Sequence, residues 1–490
     1  MNKKFYLTTP IYYVNDVPHI GHAYTTIAAD VLARYKRKQG FDVHFLTGTD
    51  EHGQKVWKAA EAKGESPEKF VSWLVGRFKA AWEALNISND DFIRTTEPRH
   101  EAAVQKIFSQ LLAKGDIYKG EYEGLYCVAC ESFWPNETVC PTCGRPTETL
   151  KEETYYFKLS KYQDQLLKHI EANPGYIQPE SRRNEVLQFI KQGLHDLSVT
   201  RTAFPWGVKI KEDPKHVIYV WFDALINYIS AIGYAGDENS FKKWWPADVH
   251  LMGKEIVRFH AITWACILLA LDLPLPKKIF GHGWWTVEGE KMSKSKGNVV
   301  DPLVLSSEFG VDAVRYFILR EVPFGVDGNF SKQSFINRYN ADLANDLGNL
   351  LSRTLTMIEK YFKSEIPSTK SQTIPNDQIT NEINTLIQTT PSAVDKAMEE
   401  LAFSEALAAI WHLINQANIY IEKQAPWSLA KKEENEKLAT VLATLIEALK
   451  TIADLIVPFM PETSKKIEAQ LNLGGEKIAK GDSLFPRIQK

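Results

Sequence analysis

The chain lacks the long apolar segments that secretion and membrane insertion require. Its first residues, Met1 to Phe5, are basic, but polar Thr8, Thr9 and Asn15 interrupt the stretch that follows, so no secretory apolar core forms. No apolar run reaches the ~20 residues that a transmembrane helix needs. We therefore expect a cytoplasmic protein with no membrane partner.

Cysteine is scarce, and the charges nearly cancel. Five cysteines in a chain without a secretion signal favour a metal site plus one additional thiol over a disulfide framework. The formal net charge of −3 argues only against non-specific nucleic-acid binding. A folded RNA is still compatible with it, because such RNA is recognised mainly through shape and unstacked bases, which a local basic face can contact.

Internal repeats and low-complexity tracts are also absent. The composition is that of an ordinary globular protein, with 44% hydrophobic and 24% charged residues. The 490 residues exceed the size at which one hydrophobic core keeps growing, so we predict two or three domains.

The start of the chain has the pattern of a βαβ unit. Phe5–Val14 is rich in β-forming residues, His22–Lys38 has a helical pattern closed by Gly40, and Phe41–Leu46 is a second predicted strand. Such a unit begins a parallel sheet with helices on both faces.

The rest of the chain divides into a second α/β block and a helical region. The second block starts near His216–Trp221 and includes Ile279–Gly281, and a cysteine-bearing insertion separates it from the first block. After about residue 330 the pattern predicts long helices with a core stripe, for example Leu407, Ile410, Ile414, Ala417 and Ile421. We predict a polar loop at 367–376 and a helix break at Pro426.

His19-Ile20-Gly21-His22 lies where the first predicted strand meets the first helix. This is the ligand-binding edge of an open α/β sheet, and free N–H groups and the positive helix end attract phosphate there. Gly21 allows a nucleotide close to the backbone. His19 and His22 can both point at phosphates and stabilise the charge that develops as pyrophosphate leaves. The alternative is a chance tetrapeptide with structural histidines.

A second segment, Glu290 to Asn298, carries three lysines and two hydroxyls in a glycine-containing loop. It includes Lys291-Met292-Ser293-Lys294-Ser295. A flexible loop of this composition suits a polyphosphate and can open and close around it. A solvated basic loop is the alternative for this segment alone, but the ordered pair of motifs, each on the expected element, favours nucleotide chemistry.

The two motifs, in this order, resemble the HIGH and KMSKS signatures of class I aminoacyl-tRNA synthetases. The resemblance implies a Rossmann-type parallel sheet and a two-step reaction. An amino-acid carboxylate attacks the α-phosphate of ATP, which Mg²⁺ accompanies, and the terminal ribose hydroxyl of tRNA then attacks the aminoacyl-adenylate. The resemblance assigns catalytic roles to His19, His22, Lys291 and Lys294, which would act by positioning and charge stabilisation, without a general base.

Within this class the chain resembles the methionyl-tRNA synthetases along nearly its whole length. The stretches that carry the resemblance are Thr9–Asn15, Thr47–Gly53, Val220–Tyr228 and Gly253–His260. The residue types agree with the substrate, since a long, soft, nearly apolar thioether suits an aromatic pocket with few polar contacts. The resemblance therefore implies L-methionine, ATP and tRNA(Met) as substrates.

The resemblance also assigns individual residues. It places the carboxylate that pairs with the substrate ammonium at Asp50, and the side-chain pocket at Ile11, Tyr13, Trp221, Ala224, Leu225, Tyr228, His260 and Trp264. It places the ATP contacts at His19, Gly21, His22, Gly253, Glu255, His282, Lys291, Ser293 and Lys294. Trp221 and Tyr228 are also compatible with simple packing in an α/β core. Glu255 stands where some relatives have Asp, which keeps the charge and lengthens the side chain.

Two other groups of class I synthetases that carry both signatures resemble this chain less closely. The leucine, isoleucine and valine enzymes resemble one another in being far longer and in carrying a large editing domain in the central insertion, for which this chain has no room. Small apolar substrates need such editing because a missing methylene discriminates weakly, whereas methionine offers length and sulfur to recognise. The cysteine enzyme holds its substrate thiol with zinc in the catalytic pocket, whereas the cysteines here cluster in the insertion.

The insertion carries Cys127-Val128-Ala129-Cys130 and, nine residues later, Cys140-Pro141-Thr142-Cys143. Two CxxC turns at this spacing are typical of a compact tetrahedral zinc site, and four sulfur ligands leave no open position, so we predict one structural Zn²⁺. The alternative is two fortuitous reduced pairs. Several methionyl-tRNA synthetases are similar in having a single knuckle. Cys266 lies in an apolar run and is predicted to be a buried thiol.

The helical part contains residue types that suit an anticodon. Asn349 and Arg353 are one helical turn apart and hence on one face, and Trp427 follows Pro426 at the predicted helix break. Unstacked RNA bases are bound by aromatic stacking and hydrogen bonds to their edges. The resemblance assigns Asn349, Arg353, Pro426 and Trp427 to the anticodon. The residues alone would favour surface polar groups and a packing tryptophan.

These assignments predict an α/β fold, a class I Rossmann-type sheet with a zinc-knuckle insertion, followed by an all-α bundle. The predicted parts are 1–115 (first half of the catalytic domain), 116–215 (connective insertion), 216–325 (second half with the KMSKS loop) and 326–490 (helical anticodon-binding domain with the stem-contact junction). Longer relatives carry a further dimerising module, and its absence predicts a monomer. A non-catalytic tRNA-binding paralogue is the alternative class, but such proteins usually lose signature residues, and both signatures are whole here.

Overall fold

The computed structural model describes residues 3–129, 132–134, 137–292, 298–367, 377–472 and 474–489. The chain forms two compact units, the first containing residues 1–83 and 87–283 and the second containing residues 84–86 and 284–490. This division falls inside the range 216–325, and the four domain boundaries given above stay a prediction. None of the helices in the described ranges is long and apolar enough to cross a membrane.

The first unit mixes strands and helices. Its strands are β1 (Lys4–Tyr13), β2 (Asp42–Asp50), β3 (Asp91–Arg94), β4 (Ile117–Cys127), β5 (Ser132–Phe133), β6 (Glu148–Phe157), β7 (Ile177–Gln178), β8 (Leu197–Ser198), β9 (Thr200–Arg201), β10 (Val217–Ile218), β11 (Val249–Gly253) and β12 (Ile279–His282). Its helices are α1 (Ile20–Lys38), α2 (Gln54–Ala62), α3 (Pro67–Ala84), α4 (Pro98–Lys114), α5 (Gln163–Ala172), α6 (Glu180–Lys191), α7 (Val220–Asp223), α8 (Asn227–Ser230), α9 (Glu238–Trp244) and α10 (Ala265–Ala270). A π-helical turn covers Phe259–Trp264.

A six-stranded parallel sheet in the order β3-β2-β1-β11-β12-β7 forms the centre of this unit. The predicted βαβ unit is present as β1, α1 and β2. α1 begins at Ile20, two residues before the predicted start, because His19 caps it. β2 runs to Asp50, beyond the predicted end at Leu46, because this segment pairs with β1 on one side and β3 on the other.

The insertion forms its own antiparallel sheet in the order β5-β4-β6-β8. A long hairpin of β4 and β6 carries it, with ten consecutive pairs from Ile117↔Phe157 to Tyr126↔Glu148. The insertion also supplies β7, which pairs in parallel with β12 and extends the main sheet. A two-residue strand has no sequence pattern of its own, and for that reason it was not predicted.

The second α/β block begins with a short strand and a helix. β10 pairs antiparallel with β9, outside the parallel sheet, and the chain turns into α7 at Val220. A short run of β-branched and aromatic residues fits a buried strand and a buried helix equally well, so the sequence placed the start of the block without assigning these residues to an element. Ile279–Gly281 does lie in a strand of the parallel sheet, as predicted.

The second unit is mainly helical. Its strands are β13 (Trp285–Val287), β14 (Glu290–Lys291) and β15 (Gly328–Phe330), which form a small sheet in the order β14-β13-β15. Its helices are α11 (Pro302–Phe309), α12 (Val311–Arg320), α13 (Lys332–Arg338), α14 (Asn349–Phe362), α15 (Gln378–Glu399), α16 (Phe403–Gln424), α17 (Pro426–Lys431), α18 (Asn435–Ile456) and α19 (Pro461–Leu471). A π-helical segment, Tyr339–Gly348, leads into α14.

The helical predictions are confirmed where the structure describes them. The five apolar residues of the predicted stripe are all fully buried in α16. Pro426 begins α17 directly after the end of α16, as the predicted helix break requires. Of the predicted loop at 367–376, only Pro367 lies within the described residues. Cys266 is fully buried in α10, which confirms its assignment as a core thiol.

Candidate active site and RNA-binding residues

Four predicted site residues are the last residues of four neighbouring parallel strands. Tyr13 ends β1, Asp50 ends β2, Gly253 ends β11 and His282 ends β12. Because the carboxyl ends of parallel strands meet at one edge of the sheet, residues distant in the sequence are brought to the same edge. Tyr13 and Asp50 are directly paired between β1 and β2.

His19 and His22 form the amino-terminal cap of α1. The Nδ1 atom of His19 accepts a hydrogen bond from the Gly21 N–H at 3.1 Å, and the Nδ1 atom of His22 accepts one from the His19 N–H at 3.2 Å. Since each Nδ1 atom accepts, the remaining proton of each neutral ring lies on Nε2. The cap therefore leaves two N–H donors beside the positive end of the helix.

Both signature imidazoles favour the neutral form. Their rings stack with centroids 3.8 Å apart. Burial lowers the pKa of His19, which the nearby Glu255 carboxylate partly opposes. Burial, reinforced by His19, holds the pKa of His22 well below its ordinary value. The sequence predicted two donors for phosphate, and the cap adds that these donors are uncharged N–H groups.

Gly253 and His282 end neighbouring strands, and Glu255 lies in the turn that follows β11. A Cβ atom on Gly253 would approach the Glu255 carboxylate oxygens to 2.5 and 2.6 Å, so a side chain at position 253 would displace this carboxylate. His282 bonds Thr25 of α1 through Nε2 at 2.5 Å and the Gly283 carbonyl through Nδ1 at 2.8 Å. Burial lowers the pKa of His282, opposed by that carbonyl and by Glu255.

Tyr228 and His260 form a fixed polar pair among the predicted pocket residues. The Tyr228 hydroxyl lies 2.7 Å from Nε2 of His260, and Nδ1 of His260 lies 2.9 Å from the Ile256 carbonyl. Nδ1 must therefore carry the proton, and Nε2 accepts from the tyrosine. Burial lowers the pKa of His260 to about 4. Tyr6 donates to the Tyr228 carbonyl at 2.7 Å and holds that segment against β1.

The aromatic pocket residues are held by the π-helical turn and by α7 and α8. Trp221 stacks in parallel on Phe259 with ring centroids 3.8 Å apart. The π-helical turn carries both His260 and Trp264, and such turns occur often at functional sites. Trp264 is fully buried against Tyr228, with ring centroids 5.9 Å apart. Ala224 and Leu225 are buried, whereas Ile11 and Tyr13 are half-buried.

A cavity of about 250 Å³ lies beside the segment that follows β11. Its lining is basic and aromatic and includes Arg182, Phe189, Lys254, Val257 and Arg258. The Arg258 guanidinium lies 4.5 Å from the ring centroid of Phe189. None of the predicted methionine-binding residues lines this cavity, so the cavity does not bear on their assignment, which stays a prediction.

Sequence reasoning missed a buried polar network beside these residues. Asp223 accepts hydrogen bonds from His52 and His100, and Glu51 pairs through both carboxylate oxygens with Arg94 at 2.7 and 2.9 Å. Glu51, His52 and Asp223 all lie in stretches that carry the family resemblance. Their position next to assigned residues was the available signal.

Three of the four predicted zinc ligands lie together in the insertion. The ligand atoms of Cys127, Cys140 and Cys143 are all within 4.8 Å of one another, and the sulfurs of Cys127 and Cys143 are 3.6 Å apart. Burial alone would raise the pKa of Cys140, but hydrogen bonds from the Cys143 and Thr142 backbone and from neighbouring thiols lower it to about 7. Cys130 lies outside the described residues. This donor set fits a thiolate-bound metal ion.

Of the second signature, Lys291 to Ser295, the structure describes only Lys291 and Met292. Lys291 lies in β14, which pairs antiparallel with β13, and Ser293 and Lys294 lie outside the described residues. The predicted loop character of this segment therefore stays a prediction.

Two of the four predicted anticodon residues, Asn349 and Trp427, are exposed on the second unit. Trp427 is 39% exposed, so part of its indole is open to solvent, and the preceding Pro426 is buried. Arg353 donates to Glu422 at 2.5 Å, which links α14 to the end of α16, and Asn349 is exposed at the first turn of α14. A partly exposed indole and polar side chains on the same unit are residue types that bind unstacked bases.

Known protein families and curated relatives match most of the chain. The family model for class I tRNA synthetases (M) matches residues 5–151 and 143–355, and the model for the anticodon-binding domain of tRNA ligase matches residues 379–487. A methionine--tRNA ligase of Caldanaerobacter subterraneus is 56% identical over 510 aligned residues, covering 100% of this chain and 79% of the relative. One of Clostridium acetobutylicum is 52% identical, covering 99% and 78%.

Solved structures match as well. Mycobacterium tuberculosis methionyl-tRNA synthetase in complex with methionyl-adenylate matches with a TM-score of 0.95 and 41% identity over 99% of this chain and 100% of that one. Its apo form matches with a TM-score of 0.87 and 39% identity, over 100% and 99%. The chain therefore belongs to the class I tRNA synthetases. Within that class it is a member of the methionyl-tRNA synthetase family, and its activity is that of a methionine--tRNA ligase, which confirms the predictions of family, fold class and reaction.

Proposed function

We propose that the carboxyl edge of the parallel sheet binds methionine and ATP side by side and joins them as methionyl-adenylate. The observation that carries this proposal is the meeting of Tyr13, Asp50, Gly253 and His282 at the ends of four adjacent strands. Two of these residues belong to the proposed methionine side and two to the proposed adenosine side. Positioning of the carboxylate against the α-phosphate then supplies much of the rate enhancement.

The ATP side is proposed to consist of neutral donors and the cationic second signature, Lys291 to Ser295. His19 and His22 direct their Nε2 protons at the phosphates next to the Gly21 backbone, and Lys291, Ser293 and Lys294 grip the leaving pyrophosphate. Fixed donors aimed at charge that develops in the transition state stabilise it without reorganisation. Gly253, Glu255 and His282 hold the adenosine. Mg²⁺ is expected to arrive bound to ATP and to neutralise phosphate charge.

The methionine side is proposed to hold the two ends of the substrate separately. The buried carboxylate of Asp50 pairs with the α-ammonium. The thioether lies among the apolar and aromatic side chains Ile11, Tyr13, Trp221, Ala224, Leu225, Tyr228, His260 and Trp264. The neutral His260, which is fixed by Tyr228, provides a polarisable contact without a charge that would repel the ammonium.

Transfer to tRNA is proposed to depend on exposed residues of the second unit. Trp427 stacks on an anticodon base, Asn349 and Arg353 hydrogen-bond to base edges, and Pro426 sets the position of the indole at the start of α17. A cytoplasmic location is proposed for this reaction, and the free thiols of the four described cysteines, Cys127, Cys140, Cys143 and Cys266, agree with it.

The insertion is proposed to hold one structural Zn²⁺ through Cys127, Cys130, Cys140 and Cys143. The ion would fix the tip of the β4–β6 hairpin, since all four ligands belong to this segment. Metal analysis of the purified protein should give one zinc per chain, and Cys143→Ser should lower this value sharply. Chelation should expose the insertion to proteolysis before the sheet. Zinc-free protein with an equally resistant insertion would contradict the proposal.

Pyrophosphate exchange with each amino acid in turn tests the proposed adenylate chemistry. We expect exchange with methionine and ATP to exceed that with any other amino acid by about 100-fold or more, because the pocket recognises both length and sulfur. A protein that binds tRNA(Met) but catalyses no exchange would instead support the non-catalytic paralogue.

A further inference from the structure

A hydrogen-bonded network of buried side chains lies next to the proposed methionine pocket and has no role in the scheme above. His52 Nδ1 is 2.6 Å from one carboxylate oxygen of Asp223, and His100 Nε2 is 2.8 Å from the other. His100 Nδ1 is 2.9 Å from the Ser230 hydroxyl. Asp223 and His100 are fully buried and His52 is 3% exposed. Burying a carboxylate costs free energy unless both oxygens are bonded, and here both are.

The network joins the segments that carry the pocket. Its members alternate in sequence with proposed methionine-binding residues: His52 is two positions after Asp50, Asp223 lies between Trp221 and Ala224, and Ser230 is two positions after Tyr228. His100, in α4, connects the Asp223 and Ser230 segments from the opposite side. A shift of the network would therefore move the residues proposed to bind the ammonium relative to those proposed to bind the thioether.

The charges within the network reinforce one another. Burial opposes the charged imidazole of His52, but Asp223 outweighs it and raises the pKa of His52. Burial opposes the Asp223 carboxylate, but His52 and His100 outweigh it and lower its pKa to about 2. The carboxylates of Glu101 and Glu51 also raise the pKa of His52. The charge of Glu51 is itself paired with that of Arg94.

We infer that His52, Asp223 and His100 are positioning residues for methionine, which fix the spacing between the ammonium-binding carboxylate of Asp50 and the thioether-binding segment Trp221–Leu225. This inference rests on the proposed methionine pocket. Charge-assisted hydrogen bonds resist such a displacement better than neutral ones, because they are roughly twice as strong. The network contacts neither phosphate nor ribose in the proposed scheme.

Asp223→Asn is the principal test, because it removes the charge and keeps the size of the side chain. The network would act equally on bound methionine and on the transition state, so we expect a higher KM with little change in kcat. In pyrophosphate exchange the KM for methionine should rise about tenfold, while the KM for ATP stays within about twofold. Asp116→Asn is the matched control, since Asp116 is an equally buried carboxylate of the same unit, bonded to Lys161 and Tyr162.

The pH dependence of the methionine KM distinguishes a positioning role of the network from a general effect on stability. The charged His52–Asp223 bond is present below the raised pKa of His52 and is lost as pH rises through it. The ratio of methionine KM values, Asp223→Asn over wild type, should therefore be largest near pH 6 and shrink toward pH 9. Ionisation of free methionine cancels in this ratio. His52→Asn keeps a donor where Nδ1 stood but cannot ionise, so its methionine KM should lie between those of wild type and Asp223→Asn. The ratio of its KM to the wild-type KM should also fall toward pH 9, because the wild type loses its charged bond there, whereas His52→Ala should match Asp223→Asn.

Trp221→Ala distinguishes failure of this inference from failure of the pocket itself. If Asp223→Asn leaves the methionine KM unchanged while Trp221→Ala raises it, the network has no positioning role. If neither variant changes it, the pocket assignment is wrong as well. Should Asp223→Asn not fold, His52→Ala, which removes one bond to Asp223, replaces it, and a methionine KM that stays at the wild-type value from pH 6 to pH 9 would overturn the inference.

Discussion

The proposed methionine pocket of the first unit and the proposed anticodon-binding surface of the second unit hold their side chains in opposite ways. In the proposed pocket Tyr228 and His260 are each 1% exposed and bonded to each other. On the second unit Trp427 is 39% exposed, and Arg353 is held by a surface carboxylate, Glu422. A small substrate is enclosed, so its pocket is part of a core. An RNA base arrives from outside, so its contacts must stay accessible and add little to folding.

The largest expected effect is on the rate of adenylate formation and concerns His19, which caps α1 in the first unit. His19→Asn retains a capping side chain for α1, because Asn is among the preferred N-cap residues, but removes the imidazole donor. We expect adenylate formation to fall about 100-fold to 1000-fold, as for other donors to a developing anion. Single-turnover adenylate formation and a melting curve measure the two properties separately. A variant with normal adenylate formation would assign His19 to capping alone.

A second prediction concerns protonation of the enclosed pocket. The pKa of His260 is lowered from 6.5 to about 4 by burial. As pH falls below about 6.5 the unfolded chain takes up a proton that the folded chain refuses, so the free energy of unfolding falls through this window and levels off below about pH 4. The contribution is about 3 kcal/mol. Urea unfolding from pH 7 to pH 4 should show a smaller loss for His260→Gln, and parallel losses would contradict the assignment.

A third prediction tests the exposed side. Trp427→Ala should cut aminoacylation of tRNA by about tenfold to a hundredfold and leave methionine-dependent pyrophosphate exchange nearly intact, since stacking on a base contributes about 1–3 kcal/mol. Trp411 of the same unit is the control, because it is 4% exposed and donates to the Asp342 carbonyl. Trp411→Ala should lower the melting temperature strongly. Equal damage by Trp427→Ala to both reactions would return that residue to a structural role.

The smallest expected effect concerns the surface ion pair of Arg353. Glu422→Gln should change stability by less than about 1 kcal/mol, because both side chains are substantially exposed. It should also leave tRNA charging unchanged or slightly improved, since it frees the guanidinium for a base. Arg353→Gln should raise the KM for tRNA about threefold to tenfold. If the two variants weaken tRNA charging equally, charging depends on the Arg353–Glu422 ion pair itself and not on a contact of Arg353 with RNA.

The local patterns of the chain were enough for much of the fold. The βαβ start was predicted because period-two and helical patterns are short-range properties, and the fully buried stripe from Leu407 to Ile421 follows from helical spacing. The sequence placed the start of the second block but assigned no element there, because Val217–Trp221 is too short for its residue types to separate a strand from a helix.

By itself the sequence determined the two signatures, the spacing of the cysteines and the residue types of the pocket, because each is written within a few consecutive residues. Tertiary structure alone decided which of them meet. The strand order brings Gly253 and His282 beside Tyr13 and Asp50, and Asp223 bonds His52 across 171 positions of the chain. No local pattern encodes such a contact, since it depends on how strands separated by an entire insertion are ordered in one sheet. The uncharged state of His19, His22 and His260 has the same origin, because burial, which only the fold creates, removes the water that would stabilise their charge.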